Sequence, residues 1–214
     1  MSVQVDNPRF LTGAIAPIIV EPVTLEGQYV RLEPLSMAHH AGLCEVALDE
    51  DLWRWFPLPV RTPDEMRQFI ELALNLRDEG SVLPFATFYK PESRVVGGSR
   101  YLNIDKANHR VEIGATFVAK NWQRTLVNTE AKYLMLRHAF ETLGCIRVEF
   151  KTDSLNEKSR NALLRIGAKQ EGIFRNHIIC SNGRIRHSVY FSISDEEWAT
   201  VKADLEAKLA RPYA

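Results

Sequence analysis

The sequence predicts a mixed α/β (α+β) domain built on a single central sheet. Three observations carry that prediction. Strand-like and helix-like segments follow one another as strand, two helices, three strands, then helix, strand, helix and two strands. Of the three middle strands the first two are joined by the turn residues Lys90 to Ser93, and the three are expected as an antiparallel meander. No internal repeat or low-complexity linker divides the 214 residues, enough for one large domain with a true core and a ligand cleft. Residues 1–23 read as an apolar arm and 24–214 as the domain with its C-terminal helix.

The elements follow in order. Gly13 to Val20 (GAIAPIIV) is apolar but short and interrupted by Pro17, so it is expected as an extended arm, packed on its own body or on a neighbouring subunit. Tyr29 to Glu33 alternates as a strand and stops at Pro34. Ser36 reads as the N-cap of a helix from Met37 to Leu48, and Pro57 and Pro59 place the following acidic and aromatic stretch in a loop. Thr62 caps the next helix with Pro63 at its first position and Glu65 three residues on, and apolar residues from Phe69 to Leu76 give it a broad face. Leu83 to Tyr89, Arg94 to Leu102 and Arg110 to Val118 are the meander. Thr129 to Leu143 is a helix closed by Gly144, Ile146 to Lys151 a strand, and Asn156 to Ile166 a short helix ended by Gly167. Lys169 to Ile179 and Ile185 to Ile193 form a hairpin about Ser181, Asn182 and Gly183, and Asp195 starts a last helix through Leu209.

Composition narrows the function. With 27 basic and 27 acidic side chains the chain lacks the net positive charge usual in binders of nucleic acid or of anionic membranes. Three cysteines without CxxC spacing suggest neither a disulfide framework nor a zinc site, and no secretory or membrane-spanning segment is legible, so a reduced, cytoplasmic protein is expected. The histidines show no metal-ligand spacing, and no metal is expected. Neutrality holds only for the chain as a whole: from Lys120 to His187 there are 13 Lys and Arg against 6 Asp and Glu, a positive half suited to an anionic ligand.

Four stretches carry a family resemblance: Glu112 to Val118 (EIGATFV), Trp122 to Ala131 (WQRTLVNTEA), Asn156 to Ser159 (NEKS) and Arg165 to Ala168 (RIGA). Together they resemble the GNAT superfamily of acyl-CoA-dependent N-acyltransferases, nearest to the branch of RimJ- and RimL-type ribosomal-protein N-terminal acetyltransferases. The resemblance implies a largely antiparallel mixed sheet in which two neighbouring parallel strands splay, with acetyl-CoA as cosubstrate and a primary amine as acceptor, either a protein N-terminus or a small molecule. It also makes a homodimer an expectation. A turn entering a long helix offers backbone N–H groups and a positive dipole end to a pyrophosphate. In the family that turn is Gln or Arg, two residues, Gly, one residue, then Gly or Ala. Here the positions are Gln123, Leu126 and Asn128, so both small residues are replaced. The cofactor would lie along Gln123, Arg124, Thr125, Leu126, Val127, Asn128 and Thr129, with Arg124, Thr125 and Thr129 supplementing the backbone donors and Asn128 tolerating a left-handed backbone.

Amide formation from a thioester needs the ammonium deprotonated, the carbonyl polarised and the thiolate leaving group stabilised. By resemblance, a backbone N–H near Phe117 or Val118 polarises the carbonyl, Glu112 is a base, Asn156 bonds the pantetheine arm and Ser159 serves the sulfur. The branch's second base position aligns with Ile178, leaving its neighbour His177 as a candidate. The family's acidic Tyr falls on Leu163 and is missing. Each residue has a plainer alternative: an ion-paired strand carboxylate, helix capping, a half-buried strand histidine. On the acceptor side, Asp51, Trp53 and Trp55 could receive a cationic amine through ion pairing and cation–π contact, or simply be core. The competing class is a non-catalytic acyl-CoA-binding module, suggested by Leu126, Asn128 and the missing Tyr.

Overall fold

The computed structural model describes residues 16–211. It holds one eight-stranded sheet in the order β1-β2-β3-β4-β5-β6-β8-β7, with strands β1 (Leu25–Glu26), β2 (Val30–Pro34), β3 (Leu83–Tyr89), β4 (Arg94–Asp105), β5 (Arg110–Val118), β6 (Arg147–Asp153), β7 (Lys169–Ile179) and β8 (Ile185–Ser194). Every neighbouring pair is antiparallel except β5 with β6. The helices are α1 (His40–Ala47), α2 (Glu50–Trp53), α3 (Pro63–Asp78), α4 (Leu126–Arg137), α5 (Glu157–Arg165) and α6 (Asp195–Leu209).

Local chemistry sets most boundaries. Thr62 and Glu65 form a reciprocal capping box at α3 with Pro63 inside it. Ser194 and Glu197 do the same for α6. Gly144 and Gly167, with φ of 71° and 92°, close the segments before β6 and β7 as expected. The expected helix from Met37 is split: Ser36 and His39 form a capping box over a 3-10 turn, and α1 proper begins at His40. The two-residue β1 was too short to show a period. The stretch after α1, expected as loop, contains the single-turn α2, because the Asp49 side chain accepts the Asp51 N–H at 3.0 Å.

Helix α4 starts three residues before the expected Thr129, because Thr125 caps it by accepting the Val127 N–H at 3.2 Å. Beyond Arg137 it widens into a π turn over His138–Thr142, just after the Tyr101 hydroxyl donates to the Met135 carbonyl at 2.6 Å.

The sheet is sandwiched unevenly. On one face α4 and α6 bury Val111, Ile113, Val148, Phe150, Val189 and Phe191; on the other α1 and α3 bury Ala86, Val95 and Phe117. Burying such side chains contributes about 1.5–3 kcal/mol each before entropy is counted. The described part of the N-terminal arm lies on its own body: Ile18 is buried in the first core, its N–H reaches the Lys106 carbonyl at 3.1 Å, and the Ala16 carbonyl bonds the His109 ring at 2.8 Å. Residues Gly13 to Ile15 of that expectation lie outside the described residues.

Candidate active site

The parallel pair is a fork. Only Arg110, Val111 and Glu112 of β5 stand in register with Arg147, Val148 and Glu149 of β6. Beyond them β5 from Ile113 to Val118 keeps β4 on one side and, among the described residues, has no strand on the other. A bulge follows on the free part of β5: Gly98 pairs with Phe117 and Arg100 with Gly114, so Ser99 alone faces Ala115 and Thr116, and Ala115 takes a left-handed φ of 47°. The strands close up again past the bulge. A Cβ on Gly97 would lie 2.2 Å from the Phe117 carbonyl oxygen, so only glycine fits there.

The free edge of β5 accepts amide groups. The Gln123 carboxamide donates to the Val118 carbonyl at 2.8 Å, and its own oxygen takes the Lys158 ammonium of α5. The end of α4 faces this region with no acidic residue in its first turn. The phosphate loop is shaped differently from the expectation on two points. The left-handed residue is Arg124, φ 64°, while Leu126 and Asn128 are already helical, so Asn128 needs no special backbone freedom. The Thr125 hydroxyl is spent as well, donating to the Trp122 carbonyl at 2.6 Å while capping Val127, and adds no free donor.

Glu112 sits at the fork, 2% exposed, on the face opposite its neighbours Val111 and Ile113. Its Oε2 accepts from the Asn103 amide at 2.8 Å and lies 3.4 Å from the Lys151 ammonium, which is also 5.7 Å from the centre of the Tyr190 ring. A protein ammonium thus rests between a buried carboxylate and an aromatic face, the setting an amine acceptor requires. This region opens on a cleft of about 530 Å³ lined by Asn103, Arg110, Glu112, Arg147, Glu149, Glu171, Gly172, Phe174 and Tyr190. Its floor is an ion network: Glu149 takes Arg147 at 2.8 Å and Arg110 at 3.2 Å, and Arg147 also holds Glu171, whose carboxyl it keeps below the usual range.

His177 stands at a bulge of β7, its ring 5.8 Å from Tyr190 and 5.4 Å from Phe174, with Nδ1 buried and unpartnered. Desolvation, then Lys151 and Arg186, push its pKa down, with Glu112 opposing, so the ring is neutral at pH 7 and able to take up a proton. Across the gap, Asn156 caps α5 by accepting the Ser159 N–H at 3.0 Å, leaving its amide NH₂ and the Ser159 hydroxyl for a ligand. Leu163 is buried, as an apolar replacement for the family's tyrosine should be.

The expected acceptor aromatics are placed otherwise. Trp53 is 1% exposed; its indole donates to the Ala47 carbonyl at 2.6 Å and packs on Phe56, Phe69 and Phe117, so it is core. The Trp55 ring already carries the protein's own guanidinium groups, Arg54 at 5.2 Å and Arg184 at 5.6 Å. Asp51 is exposed and lines a second, smaller cleft of about 330 Å³ between α2 and the β7–β8 turn, near Arg184 and its buried partner Asp153. Cys145 is buried, its thiol pushed up to about 12, which makes it no nucleophile. Among the described residues no cluster of three or more metal-ligating side chains occurs, and no helix is long and apolar enough to cross a membrane.

Residues 30–169 match the model of the acetyltransferase (GNAT) domain. The chain belongs to the GNAT acetyltransferase family. A GCN5-related N-acetyltransferase from Brucella melitensis superposes with a TM-score of 0.84 at 33% identity, over 91% of this chain and 89% of that one. YdaF of Bacillus subtilis, provisionally named a ribosomal N-acetyltransferase, is 35% identical over 96 residues, 45% of this chain and 51% of its own. RimJ of Mycobacterium smegmatis, solved in complex with CoA-disulfide, shares the fold with a TM-score of 0.77 at 21% identity, over 90% of this chain and 98% of that one. The family accounts for the fork, and the RimJ/RimL-like branch expected from the sequence is represented among these relatives.

Two structural features of this GNAT domain escaped sequence reading. Lys132 is a buried lysine, 5% exposed, whose ammonium reaches Thr116 and Ser99 behind the bulge. Glu130 is a buried carboxylate accepting three backbone N–H groups, from Gln28 at 2.6 Å, Tyr29 at 2.8 Å and Val30 at 2.7 Å. Glu130 falls in the quoted motif from Trp122 to Ala131 and Lys132 directly follows it; their signal was a charged residue on the sheet-facing side of a helix.

Proposed function

We propose that this chain transfers an acetyl group from acetyl-CoA to a primary amine by direct attack in a ternary complex. The observation that supports this most is Glu112 at the closed end of the fork, buried, beside an ammonium-holding cleft and next to the free edge of β5. Acetyl-CoA, when bound, supplies a thioester whose acyl carbon is open to amine attack. The residues present fit it: the free edge of β5 already accepts an amide donor from Gln123, and the first turn of α4 carries no repelling carboxylate.

In this reading the N–H groups of Leu126, Asn128 and Thr129 hold the pyrophosphate, with Arg124 beside them and the Val127 N–H already taken by the Thr125 cap. Backbone N–H at Phe117 or Val118 polarises the acyl oxygen. Asn156 orients the pantetheine arm through its free amide, and the Ser159 hydroxyl faces the departing sulfur. Glu112 takes the amine proton, directly or through water, once the incoming ammonium replaces Lys151 beside it; His177, neutral and next to Tyr190, is the second candidate for the same proton. The acceptor is an amine on a protein N-terminus or on a small molecule, received in the cleft between Glu112 and Phe174 with its charge between carboxylate and aromatic ring.

The test begins with binding. Acetyl-CoA at a hundred times its Kd should stabilise the protein by about 2.7 kcal/mol in a thermal-shift titration. Absence of any shift at millimolar acetyl-CoA overturns the cofactor assignment. Thiol release across a panel of peptides and small amines then reads the transfer. Glu112→Gln should depress kcat, and Ser159→Ala should lower turnover with little change in cofactor affinity. Binding without thiol release on any amine would make the chain a binding module instead.

A further inference from the structure

We propose that Lys132 is a positioning residue for acyl transfer: its amine ties α4 to the bulge of β5 and so sets the spacing between the helix end and the strand edge that face the cofactor. The inference rests on the acyl-CoA reading above. Lys132 Nζ donates to Thr116 Oγ1 at 2.6 Å and to Ser99 Oγ at 3.3 Å, and those hydroxyls bond each other at 2.7 Å. The three side chains come from α4, β5 and β4, and Ser99 and Thr116 are the residues that face each other across the bulge. Among the described residues no carboxylate pairs with the amine. Its pKa is pushed down to about 7 by burial alone.

A buried lysine without a counter-ion is a costly choice for a helix that could place Leu or Met there. What the amine adds is a tie. Ala115 holds a left-handed backbone on the free part of β5, three residues beyond Glu112, where the pairing with β6 ends. A non-glycine residue keeps such a conformation only where its surroundings over-determine it. Thr116 and Ser99 satisfy each other only in part; the amine completes the trio and fixes their rotamers. Lys132 also lies six residues beyond Leu126, roughly 9 Å along the helix axis. Loosening the tie therefore shifts the N-terminal N–H groups of α4 against Phe117 and Val118, and the two parts of a phosphorylated, acyl-bearing cofactor no longer meet both sites at once.

The test is a double-mutant cycle with Lys132→Met, Thr116→Val and both together. CoA and acetyl-CoA affinities are read by titration calorimetry, and steady-state kinetics are measured with one amine. Each single variant should weaken CoA binding about tenfold and raise KM for acetyl-CoA by a similar factor, with KM for the amine unchanged. The double variant should be no weaker than either single, because both break the same tie. A Lys132→Met protein that binds CoA within twofold of the parent overturns the proposal, as do losses that multiply in the double variant. Should Lys132→Met fail to fold, Thr116→Val, which is close in volume, carries the same test alone. A parent that binds no CoA would overturn the acyl-CoA reading itself.

Discussion

Replacing Lys132 by Met should change how the stability of the protein depends on pH. The amine titrates near 10.5 when exposed and at about 7 in the fold, because burial disfavours the ammonium. Between those values the unfolded chain binds more protons than the folded one, so stability rises with pH across this window. Below about pH 7 both states are charged and the full penalty applies, about 5 kcal/mol at 1.36 kcal/mol per pKa unit. Above 10.5 it vanishes. From pH 6.5 to pH 9 the wild type should gain about 2–3 kcal/mol relative to Lys132→Met, which for a chain of this size is a closing of about 5–10 °C in the Tm difference. The hydrogen bonds to Thr116 and Ser99 contribute a pH-independent offset of about 1–2 kcal/mol in the opposite sense. The assay is paired thermal and urea unfolding of the two proteins at four pH values. Parallel curves would show that Lys132 titrates as an exposed lysine does, and the burial argument would be wrong.

Other perturbations have definite outcomes. Glu130→Gln turns one acceptor oxygen into an NH₂ that faces either the Gln28 donor or the Tyr29 and Val30 donors, and should cost about 3 kcal/mol or more, seen as a Tm lower by roughly 6–12 °C; a loss under about 1 kcal/mol contradicts the three-donor clamp. Gly97→Ala drives a methyl into the Phe117 carbonyl and should destabilise by about 1–3 kcal/mol while weakening CoA binding; an unchanged urea midpoint would mean that β4 and β5 part without cost. If His177 takes the amine proton, kcat/KM falls on the acid side with an apparent pKa below 6.5, since the folded value is lowered. His177→Gln should remove that limb, and its persistence leaves the proton to Glu112.

The element order was legible because its signals are local. Thr62, Pro63 and Glu65 announce α3 within four residues, and strand-like runs bounded by turn residues mark β3 to β5 without knowledge of what they pair with. The site was legible in part. Glu112, Asn156 and the turn from Gln123 to Thr129 could be named by resemblance, and they do flank the fork. Asn128 and Thr125 were misjudged because helix α4 begins three residues early, a shift that turns a loop residue into a helical one and a free hydroxyl into a cap. Trp53 could be read either way, because an aromatic cluster looks the same in sequence whether it lines a cleft or fills a core, and the structure buries it.

The sequence by itself therefore determined the mixed α/β class, the run of helices and strands, the family resemblance and the balance of charge that hides a basic half. Only the tertiary structure decided which charges are buried and against what. Lys132 meets Thr116 and Ser99 across 16 and 33 residues, and Glu130 meets Val30 across 100. Caps and periodicity act between residues a turn apart, whereas the burial of a charge depends on packing between distant segments, which no local pattern records.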